Sequence, residues 1–353
     1  MSLRLPEVAY QPRDPVAYRP AIGLIGCGGI TSYHLQAYRT AGYRVVALCD
    51  LFEEAAQRRK LEYFPEADVY VDQQELLARD DIEVVDITTH PAQRVPLIEQ
   101  ALLAGKHVLS QKPFVLDLEV GRKLVDLARQ CNLRLAVNQN GRWAPHFSYI
   151  RQAISQGVIG VPAAAHLAVH WNHGWVTGTV FEHTEHLILY DFAIHWFDIL
   201  CCFMVEQTPR RVFAIARRSA TQGIAQPLLA EVLIEYDNAQ ASLVFDADTR
   251  HGPLETAYVT GSLGTLSSRG VDSNRQQVTL SIGRQRRSPK LIGRWFPDGF
   301  HGTMGELLCA IEENREPTNS GENNLRSLEL CFAAVASVQR GEPVVPGKVT
   351  RLP

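Results

Sequence analysis

The segment Ala21-Ile22-Gly23-Leu24-Ile25-Gly26-Cys27-Gly28-Gly29-Ile30-Thr31 constrains the fold more than any other feature of this chain. A short apolar run suited to a buried strand ends in closely spaced glycines. A helical pattern follows at once, with Ile30, Tyr33, His34, Ala37 and Tyr38 recurring three and four residues apart. Strand, glycine turn and helix in that order let bare backbone N–H groups approach a pyrophosphate at a helix N-terminus. A second strand over residues 43–49 ends at Asp50, 24 residues after Gly26, where a carboxylate can accept hydrogen bonds from an adenosine ribose. Together these features predict a dinucleotide site formed by Gly26, Gly28, Gly29, Ile30 and Asp50. The alternative is a glycine turn kept only for tight packing.

Asp50 also bears on which cofactor is used. Its carboxylate would repel the extra phosphate of NADP, and neither Leu51 nor Phe52 offers a positive charge. Arg58 and Arg59 come a helix later and are expected in solvent. NAD is therefore expected over NADP. Thr31 stands where a third glycine or an alanine is usual. Its β-branch is expected to loosen the helix–strand contact slightly without abolishing the anion site.

A chain of 353 residues is long enough for two domains with separate cores. Its 46% apolar and 21% charged content is that of an ordinary soluble globular protein. The formal net charge is −3 and no basic stripe appears, which argues against a nucleic-acid partner. No apolar run is long enough to span a bilayer and no signal-peptide pattern opens the sequence, so no membrane partner is expected. The seven cysteines are odd in number and lack C-x-x-C spacing. They read as buried free thiols of a reducing cytoplasm.

Residues 1–20 carry four prolines and no periodicity, as in an extended arm that is either disordered or laid along a partner subunit. From 21 to 140 strand and helix patterns alternate. Strands are expected at 69–71, 83–87, 106–109 and 133–137, and helices at 73–79, 91–104 and 117–131. This alternation implies a doubly wound parallel sheet of the Rossmann kind, an α/β fold whose ligands bind beyond the strands' carboxyl ends. Thr88, Thr89, His90, Gln111, Lys112, Asn138 and Gln139 fall on that edge. Residues 141–353 form the expected second domain, for substrate binding and oligomerisation. Long β-like runs at 161–172, 209–219, 229–236, 240–247 and 255–260 suit an open sheet with one covered face, and helices are expected at 186–204, 302–314 and 325–340. Residues 284–290 read as a basic solvated loop.

Two pieces carry chemistry. Gln111-Lys112-Pro113 directly follows a strand of the nucleotide sheet, so Lys112 is expected to project toward the nicotinamide. Asp191 and His195 are four apart in a helical stretch and would share one helix face. Removing a hydride from an alcohol requires a base for the hydroxyl proton. A histidine suits that task because it titrates near neutrality, and a carboxylate beside it can orient the ring.

With these residues in order, the chain resembles the glucose–fructose oxidoreductase/inositol dehydrogenase/MocA (Gfo/Idh/MocA) family. The resemblance rests on Gly26-Cys27-Gly28-Gly29-Ile30, Gly105-Lys106-His107-Val108, Gln111-Lys112-Pro113 and Asp191-x-x-x-His195, and spans about residues 21–345. It implies an N-terminal Rossmann domain and a C-terminal α/β domain with a large, open, mostly antiparallel sheet that supports oligomer contacts. It further implies NAD(P)-dependent oxidation of sugars, cyclitols or their relatives. Lys112 matches the lysine of the family's Glu-Lys-Pro motif, and Asp191 and His195 its second-domain acid and histidine. These three are the expected catalytic residues: His195 as proton acceptor, Lys112 on the reacting oxygen with a share in the proton relay, and Asp191 holding either a substrate hydroxyl or the imidazole. Three features depart from the pattern. Gln111 replaces the usual Glu, Glu185-His186-Leu187-Ile188 stands where a glycine-rich run often precedes the acid, and Arg94 stands where a histidine is common.

Other residues carry two readings each. Residues 166–195 include six histidines, but His183-x-x-His186 lacks a third ligand at helical spacing, and no metal is expected. Trp171, Asn172 and Trp175 either line a polar substrate pocket or, for the tryptophans, belong to the core. Thr88, His90, Gln111, Lys112 and Gln139 are the further candidates for cofactor contacts. Asn138, Gln139, Asn140 and Arg142 either meet the nicotinamide or substrate or form a plain turn, and Asp198 is either a surface or capping partner or a catalytic group. The expected function is an NAD-dependent dehydrogenase, a cytoplasmic dimer or tetramer, acting on a sugar or polyol hydroxyl. The rivals are an enzyme that retains its NAD and uses transient oxidation for elimination or exchange, and a non-catalytic NAD-binding sensor.

Overall fold

The computed structural model describes residues 4–352. The chain divides into two compact units, one made of Pro12–Trp143 and Phe296–Leu325, the other of the residues up to Gln11, Ala144–Trp295 and the residues from Arg326 onward. The first unit holds the glycine loop. Its strands β1 (Ala21–Ile25), β2 (Arg44–Cys49), β3 (Asp68–Tyr70), β4 (Ile82–Ile87), β5 (His107–Ser110) and β6 (Leu135–Val137) alternate with helices α1 (Thr31–Ala41), α2 (Glu53–Tyr63), α3 (Gln73–Leu77), α4 (Pro91–Leu103) and α5 (Leu118–Gln130). The sheet is parallel, in the order β3-β2-β1-β4-β5-β6. Strand order reverses between β1 and β4, which opens the crevice where such sheets bind ligands. β1 and β6 are buried along their whole length, as expected of parallel strands covered on both faces. The buried seam of α1 is Thr31, His34, Leu35, Ala37 and Tyr38, while Tyr33 is 41% exposed. The helical period expected from sequence is present, but its stripe begins at Thr31, because Ile30 is the N-cap residue.

The second unit contains an eight-stranded sheet of β7 (Pro162–His170), β8 (Pro209–Arg217), β9 (Leu229–Tyr236), β10 (Gln240–Asp246), β11 (Leu254–Gly261), β12 (Thr265–Asp272), β13 (Arg275–Ile282) and β14 (Gln285–Arg287). Its order is β14-β13-β12-β11-β7-β10-β9-β8, and within this sheet only β7 and β10 pair in parallel among the described residues. Alternate residues of β9 are buried, the signature of one covered face. Helices α6 (Pro145–Ser155) and α7 (Ile194–Phe203) belong to this unit. β12 and β13 went unrecognised in the sequence because Ser267, Ser268, Arg269, Gln276 and Gln277 break the apolar alternation. The basic segment expected as a loop contains β14, a fully exposed edge strand whose Arg286 and Arg287 discourage further pairing.

The chain then returns to the first unit through α8 (Trp295–Glu312), which has a non-helical Phe296, and leaves it along α9 (Gly321–Arg340). The sequence-expected boundary at 140/141 thus omits a segment: Phe300, Met304, Leu307 and Leu308 join the same core as Ile22, Leu24, Tyr38 and Leu48. Asn319 extends the edge beside β6, donating from its side chain to the Val137 carbonyl at 2.9 Å and accepting from the Val137 N–H at 2.8 Å. A Cβ on Gly302 would collide with Trp143, so this helix approaches closer than any other residue would permit. The expected arm is docked on its own chain over its described residues. The N–H groups of Val16, Ala17 and Tyr18 donate to Glu312 at 2.6–2.8 Å. In the other unit the Tyr10 carbonyl accepts from the Ser148 hydroxyl at 2.6 Å.

Candidate active site

The glycine loop is shaped by one glycine in a conformation that disfavours any side chain and by two open ones. Gly26 has φ +100°, and a Cβ there would lie 2.9 Å from Thr88 Oγ1 and 3.1 Å from the Thr89 nitrogen. Gly28 and Gly29 face nothing within 4 Å, which leaves a cradle against the start of α1, where Ile30 supplies no side-chain cap. Asp50 closes the other side. Its Oδ2 accepts from the Cys27 N–H at 2.6 Å and its Oδ1 from the Phe52 N–H at 2.9 Å, so the carboxylate is oriented before any ligand arrives. Burial, then the Asp50 charge, pushes the Cys27 and Cys49 thiols up to about 12, which keeps both protonated and unreactive.

Thr31 and Arg59 depart from expectation. Thr31 is fully buried, and its hydroxyl donates to the Gly26 carbonyl at 2.8 Å while lying 3.0 Å from Thr88 Oγ1. The β-branched residue therefore clamps the loop to α1; the expected loosening does not occur because the hydroxyl finds an acceptor. Arg59 is 9% exposed, and its guanidinium donates to the Gly28 carbonyl at 2.8 Å and to Glu62 at 2.7 Å. It is a brace from α2 to the loop, whereas Arg58 is exposed as expected.

Along the carboxyl edge, Thr88 is buried and donates to the Gly26 carbonyl at 2.5 Å, and the exposed His90 caps α4 by position only. Arg94, 1% exposed, reaches the Thr89 carbonyl at 2.5 Å and the Pro113 carbonyl, tying the loop after β4 to the turn after β5. Gln111 is buried and accepts the half-buried Lys112's backbone N–H at 2.7 Å. Gln139 is 1% exposed, and neither atom of its amide has a hydrogen-bond partner among the described residues; the same holds for the Thr89 hydroxyl. Buried amides are rarely left so, and these groups fit a ligand that offers both hydrogen-bond donors and acceptors. Asn138 joins a polar cluster with His34 and Gln111. Arg142 binds the Thr318 carbonyl and Asn323 side chain at 2.5 and 2.6 Å.

The remaining candidates lie in the large-sheet unit. Asp191 sits in a π-helical turn, Leu187–Phe192, and His195 in α7 beyond Ala193. The expected single α-helical face is therefore interrupted between them, because the wider turn shifts the angular step of the chain. Both are half-buried. The His195 ring meets Trp295 edge-on at 5.4 Å, and Trp196 Nε1 donates to Glu255 at 3.3 Å. Burial raises the Glu255 carboxyl to about 7. Trp171 stacks on Phe192 at 4.8 Å and on His173 at 5.6 Å, with its Nε1 unpartnered among the described residues. Asn172 is exposed and accepts from the Gly174 N–H at 2.8 Å. Trp175 is 56% exposed, outside the core. Asp198 is 1% exposed and accepts from the Ser327 hydroxyl, so it is no surface residue.

Reasoning from sequence missed Thr31 and Arg59 as braces of the glycine loop and His34 as a neighbour of Gln111 and Asn138, since none of these contacts is written in contiguous residues.

A 3-2-1-4-5-6 parallel sheet, an open glycine cradle and an oriented acid at the end of β2 define a Rossmann-type dinucleotide-binding protein. The family profile described as "Oxidoreductase family, NAD-binding Rossmann fold" matches residues 21–139, and that of the "GFO/IDH/MocA C-terminal domain" matches residues 147–267. The chain belongs to the Gfo/Idh/MocA oxidoreductase family, and its N-terminal part is an NAD-binding Rossmann domain. It is 27% identical over 336 residues to a D-apiose dehydrogenase of Paraburkholderia graminis, covering 91% of this chain and 88% of that protein. It is 28% identical over 332 residues to an inositol 2-dehydrogenase of Rhizobium meliloti, covering 90% and 96%. An Agrobacterium radiobacter oxidoreductase solved in complex with NAD+, L-tartaric acid and magnesium superposes with a TM-score of 0.83 at 22% identity, covering 94% of this chain and 99% of that one. That likeness concerns the fold.

Proposed function

We propose that this chain is an NAD-dependent dehydrogenase oxidising a hydroxyl of a sugar, sugar derivative or polyol. The observation that carries the cofactor half is the Asp50 carboxylate, oriented by two backbone N–H groups beside an open glycine cradle. The substrate half is supported by relatives, alike over nine-tenths of the chain, that are named for dehydrogenation of a sugar and a cyclitol. Gly26, Gly28, Gly29, Ile30 and Asp50 would hold the pyrophosphate and ribose, and Thr88, His90, Gln111, Lys112 and Gln139 the nicotinamide end. When bound, NAD supplies a ring that accepts a hydride. The protein's part is then the proton: His195 takes it from the substrate hydroxyl, Lys112 hydrogen-bonds the reacting oxygen and shares the relay, and Asp191 orients the hydroxyl or the imidazole. Trp171 and Asn172 complete the substrate-binding set. Residues 21–140, completed by the returning segment 296–325, would serve the cofactor, and the rest of 141–353 the substrate and assembly.

The test is formation of reduced nicotinamide from NAD or NADP with a panel of sugars, sugar acids and cyclitols. Turnover with NAD is expected, and His195→Ala should lower it by about 10²- to 10⁴-fold. Near-normal rates in that variant would remove His195 as the base. Asp50→Ser should relax discrimination against NADP; an unchanged preference would show that Asp50 is not the ribose ligand. Silence across the panel from protein that carries tightly bound NAD would favour a cofactor-retaining enzyme. We also place the protein in the cytoplasm as a dimer or tetramer. The cytoplasmic reading is supported by seven free cysteines, and sedimentation would measure the assembly.

A further inference from the structure

A buried polar chain reaches Lys112 from inside the glycine-loop unit. The Tyr38 hydroxyl donates to Asp86 Oδ2 at 2.6 Å, and His34 Nδ1 lies 2.7 Å from the same oxygen, with all three side chains fully buried. On the other side of the ring, His34 Nε2 lies 3.1 Å from Asn138 Nδ2 and 3.3 Å from Gln111 Nε2. The orientation of these amides follows from their neighbours. The Lys112 backbone N–H can only donate, so the Gln111 atom 2.7 Å from it is the oxygen and the amide nitrogen turns to His34. Asn138 donates to the same Gln111 oxygen at 3.2 Å, and its own oxygen accepts from the Thr303 hydroxyl at 2.9 Å. Two amide nitrogens thus face His34 Nε2, which must be a bare acceptor. The ring proton is on Nδ1 and is given to Asp86.

We infer that His34, locked in this tautomer by Asp86, is a positioning residue for Lys112, acting through Gln111. Apolar side chains at 34 and 86 would fill the space beside Phe300, which the His34 ring meets at 4.8 Å, without desolvating a carboxylate. They would not supply a ring nitrogen that gathers two amides and turns the Gln111 oxygen onto the Lys112 N–H. The product of the network is therefore the backbone orientation of Lys112 at the carboxyl end of β5. Arg94 holds the next residue, through the Pro113 carbonyl. The inference rests on the proposed reading of Lys112 as a proton-transfer group.

The test uses the full chain labelled with ¹⁵N-histidine and ¹⁵N-lysine. Long-range ¹H–¹⁵N spectra, with the His34 signals assigned from their loss in His34→Gln, should show a neutral ring protonated on Nδ1. A proton on Nε2, or on both nitrogens, overturns the inference. In His34→Leu the Lys112 amide should exchange with solvent faster, and kcat should fall on the order of 10- to 100-fold while NAD affinity and KM change little. His34→Gln, whose amide can both donate to Asp86 and accept from Gln111 and Asn138, should recover most of that loss. Unchanged kcat, or equal losses in NAD affinity and turnover, overturns the positioning role. Should His34→Leu not fold, Gln111→Met severs the same link, and an unaltered Lys112 exchange rate in it is equally decisive against. A wild-type protein silent on the whole substrate panel would defeat the dehydrogenase reading instead, since ring tautomer and amide exchange are read without substrate.

Discussion

At the scale of single residues, this protein places polar groups where an apolar residue would be simpler, and each has a measurable consequence. Thr31→Val keeps the shape but removes a buried hydroxyl that donates to the Gly26 carbonyl. A loss of about 1–2 kcal/mol in urea unfolding is expected. Gly26→Ala meets both a positive φ and the contacts with Thr88 and Thr89, and should cost about 1–3 kcal/mol and weaken NAD binding, as calorimetry would show. Glu255 sets a pH dependence. Its pKa is raised from 4.5 to about 7, so between these values the folded state keeps a proton that the unfolded state releases. Its contribution therefore turns against folding as pH rises through that window, by up to about 3 kcal/mol. Glu255→Gln should melt higher than wild type at pH 8 and nearly equal to it at pH 4. His146 acts in the opposite sense, since burial lowers it to about 3 and stability is lost as pH falls below 6.5. Its contribution cancels in the comparison of variant with wild type.

At the scale of elements, helices were legible where a buried stripe and a cap coincide, and strands where apolar residues alternate. α5 shows both, with Asp117 accepting from the Glu119 N–H at 2.8 Å at its start. β12 shows no such alternation and β13 only over Val278, Leu280 and Ile282: their polar residues are held in the sheet by hairpin pairing, β12 with β11 and β13 with β12, so their state is set by partner strands rather than by their own residues. Nor does local sequence mark the π-turn at Asp191, which inserts one wider turn in a stretch that reads as ordinary helix. α2 contributes to the cofactor site by a single long reach. Arg59→Met should leave the helix intact by circular dichroism yet weaken NAD binding severalfold, because the Gly28 carbonyl loses its brace. Equal affinity in the two proteins would show that the loop holds its shape without α2.

At the scale of the whole molecule, the nucleotide unit is discontinuous. Residues 296–325 put Phe300, Met304, Leu307 and Leu308 into its core, and Gly302 admits the Trp143 ring. A fragment of residues 12–143 alone should therefore be loosely packed and bind NAD poorly, and adding a 296–325 peptide should restore binding. A fragment that melts cooperatively and binds NAD alone would show those contacts to be dispensable. By itself the sequence determined the Rossmann architecture, the glycine cradle, the acid at the end of β2 and the family, because each is written in contiguous residues with a local physical meaning. Only the tertiary structure decided that Thr31 clamps the loop, that Arg59 braces it, that a distant helix completes the core, and that His34 and Asp86 reach Lys112 through Gln111. Those are relations between residues far apart in the chain, fixed by which side chains burial brings within hydrogen-bonding distance.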